Sequence, residues 1–159
     1  MVYFYYIHYI VCPEEYKSFH LCVIYKFDHK QWKAKQPYPP LGTIYAAAVM
    51  REAGYQVSLF DTALIDSPEK IIHEIEHEKP DYLVIYDDGF NYLTKMCLTN
   101  MRKAAFRMTE IGKKNNIKVI ASSSDSADHY DIYIKKGVDF VVIGEGEITL
   151  KELIISLDK

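Results

Sequence analysis

"VDFVVIGEGEITLKEL", residues 138–153, is the stretch on which the reading of this chain turns. Val138, Phe140, Val141, Val142 and Ile143 form the near-continuous apolar run of a strand covered on both faces, and Leu150, Leu153, Ile154 and Leu157 then recur at helical spacing. Between them stand Gly144, Glu145, Gly146 and Glu147. The glycines leave the backbone open to close approach, and the first turn of the following helix presents unpaired N–H groups with a partial positive charge. A buried strand passing directly into such a helix start marks a place where a ligand can approach. Turn geometry also accounts for glycine after a strand, and Glu145 and Glu147 also suit a helix's first turn. The rest of the chain has to decide between these readings.

Working outward, the same strand-then-helix unit repeats. Residues 21–27 ("LCVIYKF") read as a strand, followed by a polar, Pro-rich loop to Pro40 and a helix from Leu41 to Glu52 that ends at Gly54. A second strand covers 56–61. Ser67 caps and Pro68 starts a helix running through Glu78. A third strand spans 81–87, a long helix 92–113, and a fourth strand 117–121. The polar loop "SSSDSAD" (122–128) precedes a short helix to Lys136, and the opening stretch supplies the fifth strand and last helix. Five βα units imply parallel strands joined by right-handed crossovers, hence an open, doubly wound, Rossmann-like α/β sheet. Ligands of such sheets bind outside the carboxyl ends of the strands, here residues 28–42, 87–93, 122–130 and 144–147.

With 159 residues and 49% hydrophobic composition the chain suits one domain with a substantial core. A net charge of -3 and 19 scattered Lys and Arg offer no basic field, which argues against a nucleic-acid partner. Cys12, Cys22 and Cys97 form no CxxC and no metal-type spacing, as in a reducing, cytoplasmic setting. The opening "MVYFYYIHYIV" has no basic residue before Lys17, no small-residue cleavage site, and falls far short of the roughly 20 residues of a membrane span. Its Tyr, Ile and Val content suits an added edge strand, and an unusual start site accounts for it equally well; residues 1–18 are read as an N-terminal extension of a domain covering 19–159.

Three segments carry a family resemblance: "PYPPLGTIYAAAVMREAGYQVSLFD" (37–61), "KPDYLVIY" (79–86) and "GVDFVVIGEGEITLKEL" (137–153). In this order and spacing they resemble the cobalamin-binding N-terminal domain of cobalamin-dependent radical S-adenosylmethionine enzymes, a family of methyltransferases and oxidative cyclases. The resemblance covers about residues 20 to 158. Together with the βα alternation it implies a flavodoxin-like five-stranded parallel sheet in the order 2-1-3-4-5. It further implies that Pro39, Pro40, Leu41 and Gly42 shape the loop beside the corrin, while Gly144, Glu145, Gly146 and Glu147 line the far side. A corrin is a wide plate edged with amides and carrying a nucleotide tail. It needs small residues, exposed backbone groups and some apolar surface. Gly42, Asp88, Gly89, Ser122, Ser123, Gly144 and Gly146 supply the polar or bare positions, and Tyr38, Tyr45, Phe90 and Tyr92 the aromatic ones.

The chain departs from the family pattern at named positions. Ser122-Ser123-Ser124-Asp125 stands where the family usually has Gly-Gly-Pro-His, and Tyr86 where a small Ser or Thr often ends the third strand. Both changes imply a tighter floor for the nucleotide tail. The Asp-x-His-x-x-Gly signature of a lower axial histidine is absent, since Asp28 and His29 are adjacent. His29 lies on the corresponding loop and is the candidate cobalt ligand, with a solvated loop histidine as the alternative.

Other motifs point elsewhere. "HEIEH" (73–77) satisfies H-E-x-x-H, in which two His one turn apart bind zinc beside a Glu base. At about 100° per residue Ile71, Ile72 and Ile75 span one face of this helix and His73 and His77 the opposite one, which makes the imidazoles a surface metal site at most. "YDDGFNY" (86–92) is acidic, but adjacent Asp side chains point apart in an extended segment. There is no Gly-x-Ser-x-Gly elbow, P-loop or Gly-x-Gly-x-x-Gly turn.

The expected function is therefore to bind and orient cobalamin as one domain of a radical S-adenosylmethionine enzyme. Cys12, Cys22 and Cys97 do not form the Cys-x-x-x-Cys-x-x-Cys triplet that holds an iron–sulfur cluster, so cluster and S-adenosylmethionine are expected on a catalytic domain downstream of Lys159. The alternative is a stand-alone Rossmann-like binding module that has lost cobalamin. A surface metal site at HExxH is the third reading.

Overall fold

A computed structural model of the chain describes residues 18–23, 40–62, 67–86 and 98–159. Its strands are β1 (Ser18–Val23), β2 (Gln56–Asp61), β3 (Tyr82–Tyr86), β4 (Lys118–Ser122) and β5 (Phe140–Val142). They lie in the order β2-β1-β3-β4-β5, and every neighbouring pair is parallel. The helices are α1 (Leu41–Glu52), α2 (Ile71–Glu78, entered through a 3-10 turn at Pro68–Lys70), α3 (Leu98–Lys114), α4 (Ser124–Asp128), α5 (Tyr130–Lys135) and α6 (Gly146–Leu157). This mixed α/β arrangement with parallel strands is consistent with a Rossmann-like fold.

The layers follow from the two-residue period of the strands. All five residues of β3 are buried. Tyr82, Val84 and Tyr86 face one way and pack with Ala46, Ala47 and Met50 of α1 and with Leu150 and Ile154 of α6. Leu83 and Ile85 face the other way, against Ile71 and Ile75 of α2, Met101, Ala105, Met108 and Ile111 of α3, and Tyr133 of α5. At the amino end of the sheet the Tyr55 and Tyr82 hydroxyls donate to the two oxygens of Asp158 at 3.0 and 2.7 Å, fastening the end of α6. Burial, followed by the Asp158 carboxylate, pushes the Tyr55 phenol up to about 12 and raises Tyr82 as well.

Several boundaries differ from the sequence reading. The first strand, described over Ser18–Val23, includes residues 18–20 ahead of the expected 21–27, and residues 24–27 lie outside the described residues, as do the expected edge strand in 1–11 and the start of the long helix at 92–97. The polar segment read as a loop at 122–128 is instead the end of β4 followed by α4. Its helix start is closed locally: the Ser126 amide donates to Ser123 Oγ at 2.8 Å while the Ser123 amide donates to Ser126 Oγ at 2.9 Å. A run of Ser and Asp reads as loop, yet these are also the residues that build a cap. Among the described residues no helix is long and apolar enough to cross a membrane.

Candidate functional site

Because the strands are parallel, the ends of β3 and β4 and the starts of α1 and α6 meet at one edge of the sheet. Tyr86 and Ser122 are register partners, with Val142 beside Ser122, and they close the strands on the α1/α6 side. Thr43, fully buried in the first turn of α1, donates to the Tyr86 carbonyl at 3.4 Å. The Tyr86 ring runs beneath the first turn of α6. A Cβ built on Gly146 would sit 2.5 Å from the Tyr86 hydroxyl, 2.8 Å from Cε2 and 2.9 Å from Ser122 Oγ. The Tyr86 hydroxyl donates to Glu147 Oε1 at 3.0 Å. Tyr86 is 7% exposed, so the space between sheet and helix is occupied by protein. Gly146 is glycine because a tyrosine passes under it.

Gly144 has a different reason. Its φ of +88° lies in the left-handed region, and a Cβ there would meet nothing within 4 Å among the described residues. It is an exposed backbone elbow, followed by exposed Glu145 and half-buried Glu147. Around the same edge the apolar side chains Leu41 (72% exposed), Tyr45 (60%), Ile143 (61%) and Ile148 (51%) face outward. Pro40 is buried and its carbonyl accepts from the Ile44 amide at 3.0 Å, opening α1, with Gly42 half-buried in that first turn. The structure thus brings together Pro40, Leu41, Gly42, Tyr86, Ser122, Gly144, Glu145, Gly146 and Glu147 at one edge. Pro39, Asp88, Gly89 and His29, with Tyr38, Phe90 and Tyr92, lie outside the described residues.

Ser123 is committed to its cap, and the neighbouring Asp125 to a buried polar cluster. Arg102 of α3 donates to both carboxylate oxygens at 2.8 and 2.5 Å, and the Tyr133 hydroxyl donates at 2.8 Å. Burial pushes the Asp125 carboxyl up, but these hydrogen bonds and the Arg102 and His129 charges outweigh it and hold it below the ordinary carboxylate range. Sequence reading missed Thr43, Ile148 and Arg102. The first two sit one turn or less into helices already marked as bordering the crevice, and that periodicity was the available signal. Arg102 had none, being 23 residues from its partner.

His73 and His77 lie on the exposed side of α2, with side chains 83% and 62% accessible. Ile72, expected on the apolar face, is 38% exposed, because at eight residues this helix buries only Ile71 and Ile75. Among the described residues no group of three or more His, Cys, Asp or Glu is placed to hold a metal ion.

Comparison with known proteins agrees with the fold. The family model described as "B12 binding domain" matches residues 32–154. The cobalamin-dependent S-adenosylmethionine radical enzyme OxsB, solved with aqua-cobalamin and S-adenosylmethionine bound, superposes with a TM-score of 0.66 at 16% identity, over 91% of this chain and 19% of that one. The radical S-adenosylmethionine methyltransferase TsrM from Kitasatospora setae, solved with tryptophan and an S-adenosylmethionine analogue, gives 0.66 at 15% identity, over 89% of this chain and 26% of that one. The chain thus spans about a fifth to a quarter of these proteins. No curated protein matches it in sequence.

Proposed function

The chain belongs to the B12 binding domain family, and from that premise we propose that it binds a corrinoid at the carboxyl edge of its sheet and orients it for a radical S-adenosylmethionine catalytic domain. The observation that carries this reading is the rim itself. Gly144 offers bare backbone with no described residue within 4 Å of its Cβ position, the first turns of α1 and α6 carry N–H groups without intrahelical acceptors, and Leu41, Tyr45, Ile143 and Ile148 supply exposed apolar surface. These features fit a flat macrocycle edged with amides, which needs contact on its face and hydrogen-bonding partners at its border. Bound cobalamin supplies a redox-active cobalt centre, and the protein's part is to bind the macrocycle and set its orientation.

The catalytic activity, whether methyl transfer or cyclisation, belongs in this reading to the larger enzyme, along with the iron–sulfur cluster and S-adenosylmethionine. The resemblance to two such enzymes, in which a domain of this fold is a minor part of the chain, supports that context. A cytoplasmic location fits the cysteine usage. Pro39, Asp88 and Gly89 are proposed as further contacts, and His29 as a cobalt ligand, on the family resemblance, whereas Ser123 serves its cap instead. A second reading, a binding module that has lost cobalamin, is favoured by one observation, the Tyr86 ring filling the gap under α6.

Titration of the full chain with hydroxocobalamin, followed by visible absorbance, tests the proposal. Saturable binding with a shifted spectrum is expected. Gly144→Val, which plants a branched side chain on the open elbow, should weaken it about tenfold or more, a loss of about 1.4 kcal/mol. Undiminished binding by that variant, with its fold intact, would move the site elsewhere.

A further inference from the structure

We infer that Tyr86 plugs the crevice between the sheet and the α1/α6 layer, so that this chain holds a corrinoid by its macrocycle with the nucleotide tail kept outside that crevice. The inference rests on the corrinoid reading of the rim and adds which part of the ligand is recognised. A corrinoid joins two shapes, a plate too wide to slide between two packed layers and a narrow tail. Packed layers of secondary structure stand about 10 Å apart, so the tail is the only part with access to the space between sheet and helices. Here that space ends at a side chain.

The plug is built from several elements. The Tyr86 ring lies at the end of the central strand, with Ser122 beside it on β4. Gly146 leaves the ring its room, since any Cβ there would fall 2.5 to 2.9 Å from Tyr86 and Ser122 atoms. Glu147 holds the hydroxyl at 3.0 Å, and Thr43 holds the Tyr86 carbonyl at 3.4 Å from the α1 side. Opening the crevice requires the ring to leave a site where it is 7% exposed and to abandon its carboxylate partner. Gly144, by contrast, has no described residue within 4 Å of where its Cβ would stand. Among the described residues the edge is therefore bare at Gly144 and closed below at Tyr86, which suits a plate resting on the rim.

The experiment compares hydroxocobalamin with diaquacobinamide, which lacks the nucleotide tail, by visible-absorbance titration of the full chain. The wild type should bind the two within about threefold of each other. Tyr86→Ser and Tyr86→Val remove the ring and should tighten cobalamin at least about tenfold relative to cobinamide, whereas Tyr86→Phe, which keeps the ring, should not. Valine preserves strand propensity should the serine variant fail to fold, and the wild-type ratio requires no variant. A wild-type preference for cobalamin of tenfold or more, or an unchanged ratio in the folded serine or valine variant, would overturn the inference. Cobalamin binding only after removal of the ring would support the plug while overturning the native corrinoid site. No binding of either corrinoid by any folded form would overturn both.

Discussion

Adding one methyl group at residue 146 tests whether Gly146 is small for the sake of the protein's own packing. In Gly146→Ala the new Cβ lands 2.5 Å from the Tyr86 hydroxyl and 2.8 Å from Cε2, so the ring must shift. Overpacking of this kind costs about 1–3 kcal/mol, and loss of the Tyr86–Glu147 hydrogen bond adds about 0.5–1.5 kcal/mol. Alanine's better helix propensity returns at most about 1 kcal/mol. The net expectation is destabilisation by about 0.5–4.5 kcal/mol, read from urea unfolding by linear extrapolation. Combining it with Tyr86→Val should remove most of that cost, a coupling of about 1–2 kcal/mol in a double-mutant cycle. Gly144→Ala is the contrast. Its Cβ meets no described residue, so its cost of about 1–2 kcal/mol comes from the left-handed backbone and should not depend on residue 86. A neutral or stabilising Gly146→Ala, or effects that add within about 0.5 kcal/mol, would refute the close-approach argument.

Asp125→Ala strands the Arg102 guanidinium and the buried Tyr133 hydroxyl, and should destabilise by about 3 kcal/mol, the lower part of the range for breaking a buried pair because Arg102 reaches solvent. The folded-state pKa of Asp125 is depressed, so its contribution is present above the ordinary value of 3.8 and is lost as pH falls through the folded-state value; urea unfolding below about pH 4 should show a flatter acid limb in the variant than in the wild type. The double change His73→Ala, His77→Ala alters exposed side chains only and should move stability by less than about 0.5 kcal/mol. Zinc that co-purifies stoichiometrically and is lost together with cooperative unfolding would contradict a surface role.

Alternation of apolar runs with helical periods is local information, and it located β2 at 56–61, the Ser67 cap and the exposure of "HEIEH" without any knowledge of the tertiary structure. The glycines after β5 were likewise legible as an unusual strand end, because only backbone conformation and the onset of a 3.6-residue period were needed to see it. What those glycines are for was not. Tyr86 and Glu147 are 61 residues apart, Arg102 and Asp125 are 23 apart, and Tyr55 and Asp158 are 103 apart, yet each pair shares a hydrogen bond. A residue's own neighbourhood in sequence carries its turn, strand or helix preference, while the atoms that fill the space beside it arrive from elements brought together by folding. The sequence alone therefore determined where the last strand passes into a helix through bare glycine backbone. Only the packing of β3 and β4 against the start of α6 decided that Gly146 makes room for a tyrosine and that the crevice beneath the edge is closed.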